Sequence, residues 1–176
     1  MIYNSKTVES AAVIETAKRM CVAARTAPKA RGIDHIHTCA ITGDDLLRLA
    51  DEMEKLGKLH DIPIFSRDAN NVRNSDALVA IGAVYKQRGL TFCQYCGFDS
   101  CSDCAKANAT CVYDNVDLGI ALGSAAALAA DSRVDSRVLY TAGKAILSMG
   151  LFDPEVKIAF GIPISAHGKS PYFDRK

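Results

Sequence analysis

Excess charge is almost missing from this chain: 21 lysines and arginines stand against 20 aspartates and glutamates in 176 residues, a formal net charge of +1. No nucleic-acid or acidic-membrane partner held by long-range attraction is expected, and no basic run supplies a local patch instead. Long apolar runs are missing too. The most apolar stretch, Leu118 to Ala130, is bracketed by Asp117 and Asp131. It falls far short of the ~20 residues that a membrane-spanning helix needs. The opening residues Met1-Ile2-Tyr3-Asn4-Ser5-Lys6 lack the basic-then-apolar order of a secretory signal. Internal repeats, linkers and low-complexity tracts are also absent. These absences leave a single domain over residues 1–176 in the reducing cytoplasm. In that compartment clustered cysteines bind metal more often than they form disulfides.

Hydrophobic periodicity supplies the elements. Val13, Ile14, Ala17, Met20, Cys21 and Ala24 form one stripe of a helix from Ser10 to about Ala27, with Glu15, Lys18 and Arg19 opposite. His35 to Ile41 reads as a strand. Thr42, with Asp45 three residues on, is the expected cap of a second helix whose stripe is Leu46, Leu49, Ala50, Met53 and Leu56, and Gly57 its expected end. Ala77 to Val84 is a strand covered on both faces. Helices follow over Asp114 to Asp131 and Ser136 to Met149, then a strand from Val156 to Gly161 and a tail without periodicity from Pro163. Gly119, Gly123 and Ala127 give the first of these helices a smooth face suited to close approach by another backbone. The fold class is α+β with a cysteine-rich insertion at about 91–112.

Five of the seven cysteines fall in that insertion, spaced C-x2-C-x4-C-x2-C-x6-C from Cys93 to Cys111. Thiolates so close in sequence can converge on one metal centre. The four residues between Cys96 and Cys101 are too few for the two knuckles of a zinc ribbon, which stand roughly 12–20 residues apart. Gly97 and Ala105 stand where haem attachment would place a histidine, and a thioredoxin-type site needs one C-x-x-C rather than two and a fifth thiol. An iron–sulfur cluster fits better: three ligands wrap one side, a later cysteine closes the other, and Gly97 provides the positive φ of a loop whose amides turn inward. The fourth ligand is left between Cys104 and Cys111. The alternative is a non-catalytic binding or structural module in which zinc or disulfides staple the loop.

Cys93-Gln94-Tyr95-Cys96-Gly97-Phe98-Asp99-Ser100-Cys101 resembles the C-x2-C-G-x3-C loop of the 4Fe–4S domain in the Rnf-type electron-transport B subunit. That resemblance implies Cys93, Cys96 and Cys101 as ligands of a 4Fe–4S cluster, with Cys111 as the better fourth and Cys104 as its competitor. The gap to Cys111 is shorter than in that family.

The chain as a whole resembles a prokaryotic family of ferredoxin-domain-containing proteins. The resemblance is carried by Cys93 to Cys101, Asp117-Leu118-Gly119-Ile120-Ala121-Leu122-Gly123-Ser124-Ala125, Val134-Asp135-Ser136-Arg137, Gly161-Ile162-Pro163-Ile164-Ser165 and Lys169 through Arg175.

A third similarity is to the FMN-dependent nitroreductases. Ala23-Ala24-Arg25-Thr26-Ala27-Pro28-Lys29-Ala30-Arg31 is similar to their A-A-R-x-A-P-S-x-x-N segment, although their amino-terminal R-R-S-x-R motif is absent. It implies a nitroreductase-like sheet with flanking helices. It also implies a homodimer with FMN at its interface, and Pro28, Lys29, Arg31, Lys169 and Arg175 at the flavin. The competing reading of Arg25, Lys29 and Arg31 is a set of cations favoured by a helix C-terminus. These resemblances imply a redox protein that passes electrons between a cluster and a flavin or a partner protein, with no catalytic residue specified. A third reading is a member that kept the fold, lost the flavin and serves as a binding protein.

Two further patterns need placing. His35, His37 and Cys39 alternate, so a strand would put them on one face, either as a ligand row or as the polar side of a half-buried strand. Tyr140-Thr141-Ala142-Gly143-Lys144-Ala145 is not a phosphate loop, because Val138 replaces the first glycine and no Ser or Thr follows Lys144.

Overall fold

The computed structural model describes residues 1–173. In chain order they form α1 (Ser5–Thr26), β1 (Ile36–Thr42), α2 (Asp44–His60), α3 (Ile64–Arg73), β2 (Ala77–Val84), α4 (Cys101–Lys106), α5 (Val112–Asp131), β3 (Asp135–Ser136), α6 (Tyr140–Ser148) and β4 (Val156–Ser165). Short 3-10 turns lie at Ala30–Gly32 and Pro171–Phe173. The strands make one antiparallel sheet in the order β1-β2-β4-β3. Successive side chains of β2 explain the layering. Ala77, Val79, Ile81 and Ala83 pack with α1 and α5, while Leu78 and Ala80 pack with α2, α3 and α6. A strand buried on both faces can carry no polar position, and β2 carries none.

β4 runs through Pro163, where the sequence suggests an end at Gly161. Gly161 exchanges both backbone hydrogen bonds with Leu139, so Pro163, two residues on, faces the same sparsely paired flank. Its missing N–H removes nothing from the pairing with β2.

Several boundaries differ from expectation. Asn4 caps α1, accepting from the amide of Thr7 at 2.9 Å, and the helix begins at Ser5 rather than Ser10. Thr42 ends β1 and does not cap α2; Gly43 holds that position with φ 60 and no side-chain bond. Gly57 lies inside α2, which continues to His60 and ends on left-handed Asp61. A Cβ on Gly57 would stand 2.7 Å from that of Phe65, so this glycine admits α3 and does not stop α2. α6 starts at Tyr140 rather than Ser136 because Asp135 and Ser136 pair with the end of β4.

Candidate functional site

Between β2 and α5 the chain leaves the sheet as a loop, makes the short helix α4 and returns. Ser100 starts α4 by accepting from the amide of Asp103 at 3.1 Å. This places Cys101 and Cys104 on one face, three residues apart. Phe92, Gln94 and Gly97 take positive φ values of 56, 54 and 82. Non-glycine residues rarely adopt that region, and two of them here curl the loop back on itself. The amide of Gly97 is committed to the turn itself, donating to the carbonyl of Gln94 at 2.9 Å. All five clustered cysteines line one pocket.

Inside it the thiols are not equivalent. Cys104 is fully buried and Cys111 nearly so, whereas Cys93, Cys96 and Cys101 are half-exposed. Cys104 donates to the carbonyl of Ala109 at 3.4 Å and receives Nε2 of Gln87 at 3.7 Å. Burial pushes its thiol pKa up against the Gln87 contact, and the neighbouring Cys96 and Cys111 add to the rise. Cys111 is the N-cap residue of α5, and its side chain makes no capping hydrogen bond. Cys101 points its sulfur toward the Leu90 carbonyl at 3.9 Å.

Among the described residues no group of three His, Cys, Asp or Glu side chains comes together as one metal ion would require. A tetrahedral zinc with bonds of about 2.3 Å holds its sulfurs ~4 Å apart. A cluster attaches each cysteine to a different iron and spreads the sulfurs around a cavity.

The base of the insertion is held by charges that motif reading passes over. The Arg88 side chain, 1% exposed, sits between Asp114 at 2.9 Å and Asp117 at 2.7 Å, two carboxylates that are themselves buried. Asp114 also accepts from the amide of Lys86 at 3.0 Å, and Asp117 from that of Ala30 at 3.0 and 3.2 Å. His35 places Nδ1 3.2 Å from Asp114 and against Nη1 of Arg88. One signal pointed here: two carboxylates three residues apart near the start of an apolar helix must bury a cation with them.

His35 therefore belongs to this network and precedes the strand. His37 packs its ring edge on Phe152 at 6.2 Å, and Cys39 joins the core under α2, α3 and α6. The alternating row does not form a ligand set. Burial also raises the thiol pKa of Cys21, and that of Cys39 to about 11. Tyr140 to Ala145 is helical, with Gly143 pressed against β4.

Pro28, Lys29 and Arg31 follow α1. The Lys29 side chain, 7% exposed, donates to the carbonyls of Ala24 at 3.3 Å and Ala27 at 2.8 Å and also meets that of Arg25. Arg31 donates to the carbonyls of Arg88 at 2.8 Å and Gly89 at 3.3 Å, and Arg25 pairs with Asp34 at 2.5 Å. Lys169 follows His167 and Gly168, which share a recess with Glu9 in the first turns of α1. The 22 residues of α1 span about 33 Å. One protomer therefore does not gather these cations around a single phosphate. Arg175 lies outside the described residues.

Comparison with known proteins agrees with this architecture. A nitroreductase family protein from Clostridium novyi superposes with a TM-score of 0.60 at 15% identity, covering 91% of this chain and 76% of its own. A nitroreductase with bound FMN from Desulfitobacterium hafniense gives 0.59 at 12% identity, covering 88% and 78%. The fold is that of the nitroreductases. An uncharacterized protein of Archaeoglobus fulgidus is 39% identical over 183 aligned residues, 99% of this chain and 98% of that protein. Residues 107–175 match the family described as uncharacterized protein containing a ferredoxin domain (DUF2148), a stretch that includes Cys111 and begins after the other four clustered cysteines. The full-length similarity and this match agree, and the chain belongs to that family.

Proposed function

We propose that the protein is a redox protein holding one 4Fe–4S cluster through Cys93, Cys96, Cys101 and Cys111. The observation that carries this is that all five clustered cysteines line one pocket. A cluster there would supply single-electron transfer. The chain's own part is to hold the ligands on a strained loop and two helix starts and to cover the inner side with buried Cys104. It anchors the whole to α5 through Arg88.

FMN is the second part of the reading. A flavin phosphate at Pro28, Lys29, Arg31, Lys169 and Arg175 would draw on two chains, because within one chain Lys169 stands apart from Pro28, Lys29 and Arg31. In a homodimer with α1 helices antiparallel across the two-fold axis, the end of one α1 meets the start of the other. Electrons would then pass between cluster and flavin, or to a separate redox partner, within the cytoplasm.

Protein made and purified without oxygen tests both parts. Iron and sulfide in equal amounts, with visible absorbance that dithionite bleaches, is the expected result, and released FMN adds the flavin. A colourless protein with about one zinc per chain would replace the cluster with a structural staple.

A further inference from the structure

Arg88 has one donor that no described residue receives. Its two terminal nitrogens are taken by Asp114 and Asp117, yet Nε is buried without a hydrogen-bond partner among the described residues. Buried donors on charged groups are almost always paired, since leaving one unmade forfeits its full hydration. Arg88 is also part of the wall of the cysteine pocket, and among the described residues it is the one cationic side chain lining it. The unpaired donor and the cysteine pocket therefore meet at the same residue.

We propose that Arg88 Nε–H donates a hydrogen bond to a sulfur of the 4Fe–4S cluster, a bridging sulfide or a cysteinyl sulfur, and so sets the reduction potential. This rests on the cluster reading above. Asp114 and Asp117 together more than offset the guanidinium charge, so the pocket receives a directed N–H group rather than a net positive charge. The added electron of the reduced cluster raises the negative charge on its sulfurs, and the donor binds that state more strongly. Hydrogen bonds to sulfur are among the levers that tune such potentials. The carboxylates also fix the guanidinium plane, which makes Asp114 and Asp117 positioning residues for the same donor.

The test uses the full chain with its cluster, made anaerobically, in two measurements. Arg88→Lys keeps a cation between the carboxylates and removes Nε. Its cluster should become harder to reduce, with at least a threefold shift in the reduction equilibrium, where tenfold corresponds to about 59 mV for a one-electron couple. In the wild type carrying nitrogen-15 arginine, the reduced cluster should show a nitrogen-15 hyperfine coupling in pulsed electron paramagnetic resonance. That measurement decides the matter alone if the lysine variant does not fold. A loaded cluster with no arginine coupling, or with an unchanged potential in Arg88→Lys, reduces Arg88 to a clamp and leaves the cluster reading intact. A protein that takes up no iron and sulfide overturns both.

Discussion

Cys104 and Cys111 compete for one role, and their surroundings separate them. Cys111 is the N-cap residue of α5 and its sulfur has no capping hydrogen bond to give up, whereas the Cys104 thiol is already hydrogen-bonded to Ala109. Cys111→Ser should lose most bound iron and sulfide while Cys104→Ser keeps them; elemental analysis with the opposite pattern would exchange their roles. Spacing announced a shared pocket for these thiols. It could not rank them, because both are buried and what separates them is the hold of Gln87 and Ala109 on the Cys104 sulfur, contacts that spacing does not show. Tyr172 offers a second residue-scale test. Burial raises its hydroxyl pKa to about 12, against the hydrogen bond it shares with Ser75 at 2.9 Å. Unfolded chains lose that proton near 10, so stability is present below pH ~10 and falls by about 1.4 kcal/mol per unit until pH ~12. Tyr172→Phe should flatten that alkaline slope in denaturant titrations between the two values.

Among the elements, α3 shows what periodicity misses. It starts after Pro63 without a side-chain cap and buries Asp68 and Asn71 beside Phe65, Ala69 and Val72, so its stripe does not look apolar. Asp68 is satisfied by Thr141 at 2.7 Å from α6, a partner 73 residues away that no local window contains. Gly143 is a parallel case. Its place in α6 is imposed by β4, since an added Cβ would meet the Ala159 carbonyl oxygen at 1.7 Å. Gly143→Ala should destabilise the protein by ~3 kcal/mol or more by forcing α6 off the sheet. Urea unfolding of the metal-free protein would measure it, and a loss under about 1 kcal/mol would mean that the helix shifts freely.

On the scale of the molecule, α5 leaves a smooth outer face. Val116 and Ile120 are 43% and 41% exposed, and a Cβ at Gly119 or Gly123 would meet nothing within 4 Å. α1 lies alongside, joined by the Ser124 hydroxyl donating to the Ala23 carbonyl at 3.0 Å, and exposes Val8 and Val22. Small residues flanked by uncovered apolar ones suit a second copy of the chain. Ile120→Glu should turn a dimer into monomers in sedimentation velocity and abolish FMN binding with it. Sedimentation of the wild type as a monomer would end the dimer proposal.

The sequence by itself determined the parts whose signals are local. These are the five-cysteine window, the two-faced burial of β2, the stripes of α1 and α2, and the small-residue face of α5. Resemblance supplied the nitroreductase fold, and the structural comparisons agree with it. Tertiary structure alone decided which charges are internal. The carboxylates Asp114 and Asp117 hint in sequence at a buried cation, but nothing local names Arg88 or His35 as their partners, and the four meet only because the insertion closes back onto α5. Local patterns record a side chain's preference for water or oil. A buried ion pair is settled by which distant partner is present to replace the water.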